Sequence, residues 1–123
     1  MKFGINYIIE DIHGDLKIGK SSHDPNTETS AFTSTLKTAR RWVKKGNVVA
    51  IIVHSTTQAA YGWEKAIHGG LETVQIDTEW FQGGGLAETM TQNYMNCSFE
   101  LTEEGIQKAL KFAKRLAFRT LGK

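Results

Sequence analysis

Phe3-Gly4-Ile5-Asn6-Tyr7-Ile8-Ile9-Glu10, then Asp11-Ile12-His13-Gly14-Asp15, then Leu16-Lys17-Ile18-Gly19, is the stretch that decides the fold. The opening segment is rich in β-branched and aromatic side chains, which favour an extended strand. His13-Gly14-Asp15 is a turn signal, because glycine accepts left-handed backbone and aspartate bonds its own main chain. Leu16-Lys17-Ile18-Gly19 then begins a return strand. A β-hairpin is therefore predicted to open the domain, and the remaining elements must pack on it.

Outward from the hairpin, Ser21 to Ser30 is polar, carries the only proline, Pro25, and reads as a loop. A helix is expected from Thr29 or Ser30 to Lys45, with Phe32, Leu36, Ala39 and Val43 on one face and Gly46-Asn47 as its stop. The uninterrupted apolar run Val48 to Val53 has the pattern of a central buried strand. Ser55-Thr56-Thr57 offers N-caps for a helix over 57–68, closed by Gly69-Gly70. Residues 73–81 suggest a short edge strand or extended segment, Gly83-Gly84-Gly85 a flexible joint, and Leu86 to Asn93 a short helix. Asn96 to Leu101 reads as a further strand. Thr102 caps a last helix whose first turn carries Glu103 and Glu104. Its apolar stripe is Ile106, Ala109, Leu110, Ala113, Leu116, Ala117 and Leu121. This order predicts an α+β domain: a small, mainly antiparallel three-stranded sheet flanked by helices, with a C-terminal amphipathic helix.

The chain has 123 residues, enough to bury a core as one domain. At 40% hydrophobic and 23% charged it has a globular composition. Cys97 is the only cysteine, which excludes an internal disulfide and fits a reducing compartment. No charged-then-apolar leader opens the chain, and no run approaches the roughly 18 apolar residues of a membrane span. A cytoplasmic protein without a membrane partner is expected. The net charge is only +2, but it is unevenly placed. Lys37, Arg40, Arg41, Lys44 and Lys45 lie close together without an acid, and Lys108, Lys111, Lys114, Arg115, Arg119 and Lys123 follow Glu104, again without one. Clusters of this kind attract polyanions by field and by counterion release.

Chemistry is carried by a few residues. Glu64 and His68 stand at i and i+4, on one face of the second helix, beside Trp63. A carboxylate and an imidazole placed together can bind a divalent metal or move a proton, and can equally be a helix-surface contact. Four motifs recur in a known order: Tyr7-Ile8-Ile9; Lys17-Ile18-Gly19-Lys20-Ser21 followed by Asp24-Pro25; Glu64-Lys65-Ala66-Ile67-His68; and Glu79-Trp80-Phe81. Together they resemble a GIY-YIG endonuclease domain, and within that superfamily the phage-associated branch that writes Lys-Ile-Gly for Tyr-Ile-Gly. The resemblance covers residues 3–82. It implies a GIY-YIG-like core over 1–82 and a C-terminal extension over 83–123 packed on the same domain.

The resemblance implies a metal-dependent phosphodiesterase site. Glu64 would be the metal ligand, for Mg²⁺ or Mn²⁺, with most coordination positions left to water and phosphate. Tyr7 would transfer a proton or position water. Lys17, standing where most of the superfamily has tyrosine, would lower the phenol's ordinary pKa of about 10 or contact the phosphate directly. His68 is a further catalytic candidate. Lys20, Lys37, Arg41, Lys44, Lys45, Lys108, Lys111, Arg115 and Arg119 would hold nucleic acid, DNA ahead of RNA; a protein partner is left open. One feature departs from the branch. An arginine expected at the start of the first long helix is absent, since residues 26–35 hold no basic side chain. Arg40 and Arg41, the substitutes as phosphate clamp, come roughly 10–15 Å further along. Loss of such a preorganised charge typically costs two or more orders of magnitude in rate. Two functions are thus expected: a divalent-metal-dependent endonuclease, or an inactive binding or inhibitory module such as a phage or mobile-element accessory protein.

Overall fold

The structure, a computed structural model, describes residues 2–27, 30–43 and 45–122. Strands β1 (Phe3–Asp11) and β2 (Leu16–His23) form the opening hairpin. Asp11 organises its turn: one carboxylate oxygen accepts the N–H groups of His13 and Asp15, each at 2.9 Å. The register sets Tyr7 opposite Gly19 and Ile9 opposite Lys17. β2 runs on to His23, through residues whose polarity predicts a loop, because their backbone pairs with β1 as far as Phe3. His23 is buried edge-on to Phe3, with ring centroids 5.2 Å apart.

β3 (Gly46–His54) pairs antiparallel with the other side of β1. β4 (Trp80–Phe81) pairs with Leu16 and Lys17, and β5 (Phe99–Glu100) with Asn47 and Val48. The result is a five-stranded antiparallel sheet in the order β4-β2-β1-β3-β5. The fold is α+β, with five strands where the pattern predicts three. The two additions are edge strands of two residues each, inside the segments 73–81 and 96–101 that read as extended; what the pattern misses is that they join this sheet, which depends on long-range pairing with β2 and β3. The centre is β1, not the apolar run of β3. Every residue from Phe3 to Ile9 is buried, whereas Ile52, Val53 and His54 of β3 are half-buried.

Four helices cover the sheet among the described residues: α1 (Ala31–Trp42), α2 (Thr57–Gly70), α3 (Gly85–Thr91) and α4 (Glu103–Thr120). Ser30, Thr56 and Thr102 cap α1, α2 and α4, each accepting an N–H three residues on at 3.1 Å. Side chains of β1 alternate between two cores. Phe3, Ile5, Tyr7 and Ile9 pack with Phe32 and Leu36 of α1 and Ile106, Ala109 and Ala113 of α4. Ile8 packs on the opposite face with Ile18, Ala50, Ile67, Leu71 and Ala87. Asn6, buried between these apolar neighbours, donates to the carbonyls of Gly19 (3.2 Å) and Ala60 (3.1 Å), tying β2 and α2 to the central strand.

Two helix ends depart from expectation. α1 stops at Trp42 instead of Lys45, because Val43 turns extended and buries itself, and Gly46 already pairs with Asp11. Thr29 and Lys44 lie outside the described residues. α2 continues through Gly69-Gly70 to a cap at Leu71, which is fully buried and anchors that end. In the run 83–85, packing and backbone conformation each call for glycine. Gly83 packs so closely on the hairpin turn that a Cβ would meet the Gly14 carbonyl at 1.8 Å, and Gly84 has φ of 79°. Among the described residues no helix is long and apolar enough to cross a membrane.

Candidate active site

β4 pairs with β2 only at Leu16 and Lys17, so other groups must finish the edge of β2 beyond it. The N–H of Ile18 donates to the Glu79 carbonyl at 2.9 Å. The Ile18 carbonyl lies 2.7 Å from Nε2 of His68. A carbonyl only accepts, so Nε2 must carry the proton, and the ring holds α2 against the strand. His68 also packs on Phe81, centroids 4.9 Å apart. Glu64, one helical turn earlier, is carried to the same edge.

Tyr7, Lys17 and Gly19 share the sheet face that α1 covers. A Cβ on residue 19 would stand 2.3 Å from the Tyr7 hydroxyl. The glycine of Lys-Ile-Gly is therefore required by the phenol crossing over it. Tyr7, Lys17, Lys20 and Glu79, with Thr35, Thr38 and Trp42 of α1, line a cleft of about 280 Å³. Lys17 is ion-paired with Glu79, both partly buried. Lys20 reaches back over the ring of Tyr61 on α2, 5.7 Å from its centroid. Tyr61, Glu64 and His68 line the adjoining concavity.

The electrostatics follow from this enclosure. Burial lifts the Tyr7 phenol well above its ordinary range, and the charges of Glu79 and Glu64 lift it further. The expected lowering by Lys17 does not occur: burial dominates, and the two carboxylates add to it. Tyr7 therefore stays protonated. Burial also raises the Glu64 carboxyl; His68 opposes this, Glu79 adds to it, and Lys20 and Lys17 oppose it more weakly. One oxygen of Glu64, Oε2, is buried with no hydrogen-bond partner among the described residues.

That oxygen is the test of whether a cation fits. A buried, unpartnered carboxylate oxygen with a second carboxylate nearby suits a hard divalent ion or a proton. Among the described residues no group of three or more His, Cys, Asp and Glu is arranged as a metal cage. A Mg²⁺ or Mn²⁺ ion there would have Glu64 as its protein carboxylate and would draw its remaining ligands from water and phosphate.

The remaining sequence candidates lie elsewhere. Arg40 pairs with Glu103 at 3.1 Å, and Lys37 approaches the same carboxylate at 3.9 Å, so both face α4. Arg41 is exposed on α1. Among the described residues no arginine lines the cleft. Lys108, Lys111, Arg115 and Arg119 form one exposed stripe along α4, opposite its buried face; Lys108 pairs with Glu104 at 3.3 Å. Lys45 is exposed beside the end of α1, while Lys44 and Lys123 lie outside the described residues. Two cleft residues have no role in the sequence reading, although Glu79 belongs to the Glu79-Trp80-Phe81 motif. Glu79 reaches Lys17 only through the long-range pairing of β4 with β2. Trp42 lies off the apolar stripe of α1, and that misplacement is the signal that marks it. Compared with known proteins, the chain matches no family model, no curated protein and no solved structure.

Proposed function

We propose that this chain is a GIY-YIG-like protein that binds nucleic acid, DNA ahead of RNA, and hydrolyses phosphodiester bonds with a divalent cation held by Glu64. The observation that carries this reading is that Glu64 lies close enough to Tyr7 and Lys17 for their charges to act on one another, with one carboxylate oxygen of Glu64 buried and unpartnered. A Mg²⁺ or Mn²⁺ ion bound there supplies charge neutralisation on the phosphate and an acidified water. The chain's own groups do the rest. Tyr7, kept protonated, donates a hydrogen bond to a phosphate or leaving oxygen. Lys20, exposed at the cleft mouth, meets incoming phosphate. Glu79 holds Lys17 in place. His68 positions Glu64 through its bond to Ile18. The α4 stripe contributes affinity from outside the cleft.

A second reading, an inactive binding or inhibitory module, is favoured by one specific observation. Two of the charges that would clamp a scissile phosphate are engaged elsewhere, Lys17 by Glu79 and Arg40 by Glu103, and Arg41 does not line the cleft. Incubating the full chain with plasmid and single-stranded DNA in Mg²⁺ or Mn²⁺, beside Glu64→Ala and a gel shift, separates the two. Metal-dependent nicking lost in the variant supports the nuclease. Salt-sensitive binding without cleavage supports the module, and neither cutting nor binding removes both.

A further inference from the structure

The cleft does not end at Trp42 and Trp80. Both side chains also wall a larger cavity of about 760 Å³. Trp42, the last residue of α1, is 83% exposed, although tryptophan normally buries most of its ring. Ile12 and Ile76, 70% and 58% exposed, line the same cavity. Large apolar side chains gathered in one exposed concavity mark a binding surface, where single scattered ones would not.

The charges around that concavity select its occupant. Asp11, Asp15 and Asp77 line it, with Lys45 and His13. Three carboxylates repel a phosphate; one oxygen of each already accepts backbone N–H groups of the chain, and the second oxygen of each is the acceptor offered to N–H groups on the edge of a base. The neighbouring cleft carries Lys17 and Lys20 instead. Phosphate on one side of the tryptophans and base on the other is the arrangement of a nucleotide. We propose that the cavity takes an unpaired base of the strand whose phosphate occupies the Tyr7 cleft. The base stacks on Trp42 and presents its amino and ring N–H groups to the carboxylates. A paired base has both faces and its Watson–Crick edge occupied, so the substrate is single-stranded or locally opened nucleic acid. This inference rests on the proposed function and deepens it.

The test is equilibrium binding of the full chain in EDTA, read by fluorescence anisotropy. Three labelled probes of equal length are compared: a mixed-sequence single strand, an abasic strand with the same phosphates, and the corresponding duplex. Stacking of one base predicts roughly 10-fold tighter binding of the mixed strand than of the other two. Trp42→Ala should bring the affinities for the mixed and abasic strands to within about 2-fold of each other, whatever it does to their common value, and Trp42→Phe should keep most of the preference. The exposure of Trp42 leaves folding of these variants intact, checked by circular dichroism. Nucleic-acid binding that ignores the bases and Trp42 overturns this inference alone. Failure to bind any probe overturns it together with the binding function beneath it. Self-association that depends on Trp42, without a base preference, reassigns the surface to a second copy of the chain and also overturns it.

Discussion

The cleft beside β2 and the outer face of α4 are built from the same kinds of side chain and differ in what water does to them. Lys108, Lys111, Arg115 and Arg119 stand exposed along α4. There the ion pair of Lys108 with Glu104 has side chains 63% and 81% exposed, a setting in which such pairs are worth about 0–1 kcal/mol and are screened by salt. In the cleft and the concavity that holds Glu64, Tyr7 is fully buried and Lys17, Glu64 and Glu79 partly so. Burial there shifts the proton affinities of Tyr7 and Glu64. Solvated charge provides attraction without geometry; enclosed charge provides chemistry.

The largest effect expected is on Glu64. Replacing it by glutamine should reduce metal-dependent cleavage at least 100-fold while leaving affinity for nucleic acid within a few fold, measured by nicking rate and gel shift. The same variant reports the enclosure by its stability. Burial raises the folded-state pKa of Glu64 above its unfolded value, so the native state binds this proton more tightly than the unfolded chain. The resulting stabilisation is complete below the ordinary glutamate value of about 4 and is lost as pH rises through the raised folded value. Glu64→Gln should therefore melt higher than the natural chain at neutral pH and no higher in acid, by thermal scans across that range.

Gly19→Ala comes next. The added methyl meets the Tyr7 hydroxyl, and overpacking of this kind costs about 1–3 kcal/mol, to be read from urea denaturation. A Tyr7→Ala background should recover most of that cost. Lys111→Gln combined with Arg115→Gln should weaken binding roughly 10-fold at low salt and reduce the slope of log K against log salt by about 2. Arg40→Ala should do least. Its pair with Glu103 is exposed, so stability should change by no more than about 1 kcal/mol, and cleavage should be unaffected.

The comparison also separates what could be read from the chain alone. The hairpin, the caps at Thr56 and Thr102, and the apolar stripes of α1 and α4 are local patterns, and all are present. The central strand was not legible, because Gly4 and Asn6 interrupt β1 while β3 reads as unbroken apolar sequence. Asn6 is buried only because Gly19 and Ala60 supply its acceptors. In the site, the order of Tyr7, Lys17, Glu64 and His68 was visible. The charge balance was not, since the meeting of Glu79 with Lys17 and of Arg40 with Glu103 depends on which distant elements pack together. The same holds for the direction in which the Tyr7 phenol shifts.

The central claim is that chemistry and affinity occupy different regions. It is tested most directly by measuring Kd and the single-turnover cleavage rate at saturating protein for Glu64→Gln and for Lys111→Gln/Arg115→Gln side by side. The prediction is a crossed result: the first variant loses the rate and keeps the affinity, and the second loses affinity and keeps the rate once saturated. Rates and affinities that fall together in both variants, or a natural chain that does not cut, would contradict it.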